Sequence, residues 1–413
     1  MENPKLRAVQ FFPVMVENRR MGCLHDPHKI SDKPLLIPWE FVTLLPYLDG
    51  NHSLLDIQAE YTRHFGDLLF KEDLMEFLQK LDHYLFLDSS RFHEFEARIK
   101  QDFLRAQVRP AFYSGLSYAS DPKKLREELT HYFTSQKGPG LPSHQEKSKR
   151  ITGLVAPHID LSSGGPCFAW AYAELMRTAT WPDLFIILGT CHAGVNGLFA
   201  LTDKSFQTPL GTIHCDKDFM ELLSKAYSSD LYAESFLHRS EHTIEFQILF
   251  LQFIRECLGA EASPLTICPI LCAFTPESLS DNTPEKGIYT GFIESLRGVI
   301  ADYDKSVCII ASADLAHVGL KFGDPRPLDR YALNACFRKD REMLEMIARQ
   351  EKRGFLDHMT QEHYKRRICG FPPLTAMLDL IPPSEGTLLN YDHSIVDDQG
   401  SIVSFASMVF YED

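Results

Sequence analysis

Three runs in this 413-residue chain end in the same residue types: APHIDLSSGG carries His158 and Asp160, LGTCHAG carries His192, and SADLAHVG carries Asp314 and His317. A fourth, SEHTIEFQ, opens a helical pattern with Glu241 and His242. Imidazole and carboxylate donors delivered to one place form a set that suits a divalent transition metal. Glu241 and Glu245, four residues apart, share one helical face, and His242 is expected to face another way. Each residue also has an ordinary reading. A histidine near a strand end is commonly a surface or core residue, Asp160 and Asp314 stand where a helix cap would, and Glu241 could be first-turn charge. Buried His and Asp could also bond loop backbone and hold the pocket's shape without touching a ligand.

The elements that must position these residues read as strands and helices in alternation. ITGLVAP, DLFIILG, LTICPIL and SVCIIAS are short apolar runs, separated by helical patterns such as FAWAYAELM, DFMELLSKAY and HTIEFQILFLQFIREC and by Tyr331 to Gln350. That alternation predicts an α/β domain with a mixed, largely parallel sheet flanked by helices. Ligands in such folds gather at the carboxyl ends of the strands, where His158, His192 and Asp314 fall. Upstream, Trp39 to Asp88 shows three short amphipathic helices, closed by turn signals such as Asp49-Gly50. The expected division is a small helical or winged-helix domain over 1–107 and an α/β domain over 108–413, with a surface connection near 138–149, rich in Gly, Pro and Ser.

Lys and Arg number 42 against 56 Asp and Glu, a net charge of 42 − 56 = −14. The basic footprint of a nucleic-acid binder or of a protein held on an anionic membrane is therefore missing. Residues 1 to 100 alone hold 12 basic and 16 acidic side chains, which favours partner or peptide docking over DNA for a winged helix. No run of roughly 18 apolar residues and no signal-peptide core occurs, so a cytoplasmic protein is expected. The ten cysteines include no C-x-x-C pair; Cys268 and Cys272, the closest two, sit in an apolar run that reads as a buried strand.

Taken in order, the motifs resemble the Memo family. APHIDLSSGG is similar to its APHAGY-type motif and LGTCHAG to its LGPSHH motif; then come Thr208-Pro-Leu-Gly211, SEHTIEFQILFL, SADLAHVG, ICGFPPLTAML, LNYDHS and VSFASMVFY. With SGLSYASDPKKLREEL upstream, the resemblance covers about Pro110 to Asp413. It implies a fold like that of class III extradiol dioxygenases, with a metal-type pocket whose carried-over ligands are His158 and His192. Bacterial members include the AmmeMemoRadiSam system protein B, which implies a radical SAM protein and an AMMECR-type protein as partners. The N-terminal helices resemble PqqD-like proteins through Leu48, Asp49, Gly50, Leu54, Ile57, Phe77, Leu78, Leu81 and Leu85 to Leu87.

Where family members place a cysteine near the third ligand position, this chain has Ala316. Two imidazoles then need Asp314, His317, His242, Glu241 or water. Asp314 is the first choice, because a two-His, one-carboxylate face is the usual non-haem Fe(II) arrangement; zinc and copper fit the same donor types. Two functions follow. In the first, a dioxygenase-like oxidoreductase holds Fe(II) on His158, His192 and Asp314, while His242, His317 or Asp314 handles the proton of a chelating substrate. In the second, the pocket carries no metal and binds a small ligand or peptide, and the N-terminal unit docks a radical SAM partner.

Overall fold

The computed structural model describes residues 2–31, 33–142, 149–178, 180–259, 264–281 and 283–412; residues 143–148 of the expected surface connection lie outside these. The chain divides into two compact units between Arg105 and Ala106.

The first unit opens with β1 (Gln10–Val16), β2 (Arg19–His25) and β3 (Leu35–Pro38), an antiparallel sheet in that order. Glu17 and Asn18, between β1 and β2, both have positive φ, as a two-residue type I′ hairpin turn requires. Four helices follow: α1 (Trp39–Val42), α2 (Leu54–Phe65), α3 (Lys71–His83) and α4 (Ser90–Arg105). Leu24, Ile37, Ile57, Leu74, Leu78 and Leu81 form their core. Two of the three expected helices form as read. The first shrinks to one turn, and Leu45–Tyr47 forms a separate 3₁₀ turn, because Pro46 brings no N–H to a continuing ladder. Nearly every residue of β1 is exposed, so no in–out alternation marks that strand in the sequence.

The second unit runs β4 (Val108–Arg109), α5 (Pro122–Thr134), β5 (Ile151–Ala156), α6 (Leu161–Arg177), β6 (Leu184–Thr190), β7 (Phe199–Leu201), β8 (Ser205–Thr208), β9 (Gly211–Cys215), α7 (Lys217–Ala226), α8 (His242–Leu258) and β10 (Thr266–Cys272). It continues with α9 (Pro284–Asp302), β11 (Val307–Ser312), β12 (Asp314–Val318), α10 (Arg330–Ala348), α11 (Lys352–Gln361), α12 (Phe371–Leu380), β13 (Gly386–Ile395) and β14 (Ile402–Tyr411). Its strands make one sheet in the order β12-β14-β5-β11-β6-β10-β9-β8-β4, with β13 beside β14 and β7 beside β10. The centre, β5-β11-β6-β10-β9, is parallel, and β12, β13 and β14 are antiparallel additions. This is the mixed, largely parallel sheet read from the alternation of runs.

Side-chain alternation sets what covers each face. On β6 a Cβ at Gly189 would lie 2.6 Å from Thr243 Oγ1 in α8, so glycine lets that helix start directly against the strand. The next residue, Thr190, points the other way and donates to the Cys369 carbonyl just before α12. Helices α8 and α12 therefore sandwich the end of β6. Cys268 and Cys272 are fully buried on β10. Among the described residues no helix is long and apolar enough to cross a membrane.

Candidate metal centre

Strands β5 and β6 are separated in the sheet by β11, a gap of roughly two 4.8 Å spacings. His158 stands two residues past the end of β5 and His192 two past the end of β6, and their rings reach across β11 to a centroid separation of 5.2 Å. His158 is buried; its Nδ1 lies 3.0 Å from the Ser312 carbonyl. A carbonyl accepts only from N–H, so Nδ1 carries the proton and Nε2 is left to bind. That Nε2 is 3.1 Å from Cys369 Sγ. The His192 side chain is 41% exposed, and its Nδ1 sits 3.2 Å from both oxygens of Glu241. Donor atoms of His158, His192 and Cys369 all lie within 4.8 Å of one another, and so do those of His192, Glu241 and His242.

Glu241 is the N-cap of α8. It accepts from the backbone N–H of His242 and Thr243 and from that of His192. A carboxylate bonded to an imidazole fixes its tautomer and orientation, and Glu241 does this for His192. His242 also comes to the cluster, contrary to the expectation that it faces elsewhere: its ring lies 5.1 Å from His192 and 5.6 Å from His158, and its Nδ1 is 3.0 Å from Glu241. Glu245 does not share the role of Glu241. Its buried carboxylate accepts from Arg109, from the backbone of Phe112 and Tyr113 at 3.1 and 2.9 Å, and from Tyr118 Oη at 2.5 Å. Arg109 in turn donates to the Glu241 carbonyl at 2.9 Å, and the Tyr113 ring stands 5.6 Å from His242. This node ties residues 109–118 to the start of α8, beneath the histidines.

Asp314 takes a different place from the one expected of a ligand. The strand before it ends at Ser312, and Asp314 begins β12 rather than capping a helix. Its Oδ1 accepts from the backbone N–H of His158 and Ile159, while Oδ2 is 3.7 Å from His158 Nε2. Asp314 thus holds the loop that presents His158, and it stands outside both convergent groups. His317 is not brought to the cluster either: Nδ1 lies 3.0 Å from the Leu315 carbonyl and its ring packs on Phe322. Asp160 does cap a helix, α6, by accepting from Ser162 N. Ala316 is buried with Val318, Cys336 and Ile402, its N–H bonded to Ser404. The sulfur looked for there comes instead from Cys369, at the start of the ICGFPPLTAML run. The one signal for it in the sequence was a cysteine directly before a Gly-Phe-Pro-Pro helix start.

The electrostatics follow from burial and these partners. Burial, with His192 and His242 as neighbours, holds His158 well below the usual imidazole range, so it is a neutral donor. The neighbouring Glu241 carboxylate and Cys369 raise the His192 imidazole above its usual range. Glu241 is held well below the carboxylate range by His192 and His242 against the effect of burial. Burial pushes the Cys369 thiol up, with His192 pulling the other way. Asp314 is raised by burial.

A family model described as Memo-like protein matches residues 109–409. A MEMO1 family protein of Aquifex aeolicus is 27% identical over 391 residues, covering 94% of this chain and 95% of its own. A MEMO1 family protein of Methanopyrus kandleri is 29% identical over 307 residues, 72% of this chain and 96% of its own. One of Saccharolobus solfataricus is 29% identical over 273 residues, 65% of this chain and 85% of its own.

Proposed function

Because the chain belongs to the Memo-like family, we propose that its α/β unit is a metal-dependent oxidoreductase whose ion is held by His158, His192 and Cys369. The convergence of these three donors within 4.8 Å carries the reading. Two imidazoles and a thiolate are softer than the two-His, one-carboxylate face expected from the motifs. The sulfur therefore moves copper ahead of Fe(II) as the redox ion, while zinc, which suits the same donors, would supply Lewis acidity alone. When bound, such an ion supplies Lewis acidity toward a chelating oxygen and, if redox-active, an electron couple. The protein residues prepare the site: Ser312 and Glu241 set the tautomers of His158 and His192, and Asp314 fixes the loop between β5 and α6. His242, beside His192 and bonded to Glu241, is the group placed to move a substrate proton. Binding of the ion displaces the Cys369 proton, so affinity rises with pH.

Loading with Zn(II), Cu(I) or Fe(II) followed by elemental analysis tests this. Wild type should hold close to one ion per chain, and His158→Ala and Cys369→Ala should each lose it while keeping wild-type circular dichroism. Wild type without metal after loading, or both variants with undiminished metal, would overturn the proposal.

A second role is favoured by one observation. Phe12, Met15, Leu55, Leu68 and Phe70 are large apolar side chains that are all exposed in the first unit. We assign that surface to partner docking, a radical SAM protein being the partner implied by the resemblance. Met15→Glu should then abolish its co-purification and leave metal content unchanged; retained co-purification would refute the docking role.

A further inference from the structure

The cysteine ligand is delivered by an unusual piece of backbone. Among the described residues, nine non-glycine residues have positive φ, and three of them, His363, Tyr364 and Arg367, fall within five positions just before Cys369. Left-handed backbone is costly for residues with a Cβ and persists only where the surroundings over-determine it. Here the surroundings converge on Arg366. Its guanidinium is buried and donates to Asp340, to Glu362 at 2.7 Å and toward His358 Nε2 at 3.1 Å. Asp340, fully buried in α10, also accepts from Tyr391 at 2.8 Å and Ser404 at 2.6 Å, so the anchor reaches β13 and β14. The Arg366 carbonyl accepts from His317 N at 2.7 Å, and Gly370 N donates to the Asp314 carbonyl at 3.0 Å. Residues 366–370 are thereby clipped alongside β12 at both ends of Cys369.

We infer that Arg366 is a positioning residue for Cys369: it touches none of the three donors, yet its three-way anchor holds the strained loop that keeps Sγ beside the imidazoles. The inference concerns where the thiol is held and deepens the metal reading above. Lysine can keep the charge opposite Asp340, but it cannot point donors in three fixed directions. Arg366→Lys should therefore fold and still release the loop.

The first readout needs no metal. Iodoacetamide labelling of Cys369 in the full-length, metal-stripped protein is followed by peptide mass mapping. The control is Leu223→Ala, a buried truncation on α7 that lowers stability without touching this loop. Arg366→Lys should label Cys369 about tenfold or more faster than wild type, and Leu223→Ala should not. Equal rates in the two variants would overturn the inference. Glycine accepts the φ of the exposed His363, so His363→Gly in the Arg366→Lys background should slow labelling again, by about five- to tenfold; no slowing would refute the role of strain. The second readout is Co(II) titration by sulfur-to-cobalt absorption. Arg366→Lys should bind about 10–100-fold more weakly than wild type, and unchanged affinity counts against the inference. A wild type without that absorption would defeat the metal reading alone and leave the labelling result to decide the positioning role.

Discussion

Removing the Glu245 carboxylate should be among the most damaging single changes in the α/β unit. Glu245 and Arg109 are both fully buried, and Glu245→Ala leaves a guanidinium charge with only carbonyl partners. It also strips acceptors from two backbone N–H groups and the Tyr118 hydroxyl. Breaking a buried ion pair from one side costs about 3–5 kcal/mol. A unit spanning residues 106–413 unfolds with an entropy large enough that each kcal/mol moves Tm by roughly 1.5 °C. Scanning calorimetry should therefore show Tm falling by about 5–8 °C. Tyr118→Phe removes one donor and leaves the ion pair, so it should cost only about 1.5–3 kcal/mol, the range for a hydrogen bond to a charged group. The two variants order the interaction. If Glu245→Ala falls by less than about 0.5 kcal/mol, the range of an ordinary surface substitution, the node does not anchor α8 as argued. Because Arg109 also bonds the Glu241 carbonyl, metal affinity in Glu245→Ala should drop along with stability.

Three further outcomes can be checked directly. Glu241→Gln should weaken metal binding about 10–100-fold in a titration, since Glu241 orients His192 without needing to touch the ion. Gly370→Ala should cost about 1–3 kcal/mol in urea unfolding and deplete the metal, because its Cβ would lie 2.5 Å from both Ala313 Cβ and the Asp314 carbonyl. His238 is buried with Nε2 2.9 Å from the Ala200 carbonyl, and burial pushes its pKa down to about 3. The unfolded chain binds that proton first, so this contribution is complete above about pH 6.5 and is lost as pH falls toward 3. About 2 kcal/mol should be gone by pH 5. His238→Asn should flatten that part of the urea-derived stability profile, and an unchanged profile would show that His238 does not contribute.

What the amino-acid order determined by itself is local. Apolar runs of strand length alternating with 3.6-residue periodicity required a layered α/β unit, and parallel strands carry all their carboxyl ends to one edge. His158 and His192, each two residues past such an end, therefore fall at that one edge, and the strand order β5-β11-β6 then brings their rings together. Where the local signal was faint, reading failed: β1 lacks alternation because its side chains are exposed, and α1 stops early beside Pro46. Tertiary structure decided the rest of the site. His242 joins the cluster because Gly189 lets α8 start hard against β6, a contact between segments some 50 residues apart. Asp314 serves the His158 backbone because β12 pairs with β14 from the far end of the chain. Cys369 reaches the imidazoles through left-handed turns at residues without glycine's freedom, stabilised by an arginine buried against Asp340. Such positions are paid for by partners distant in sequence, and local propensity and spacing carry no trace of them.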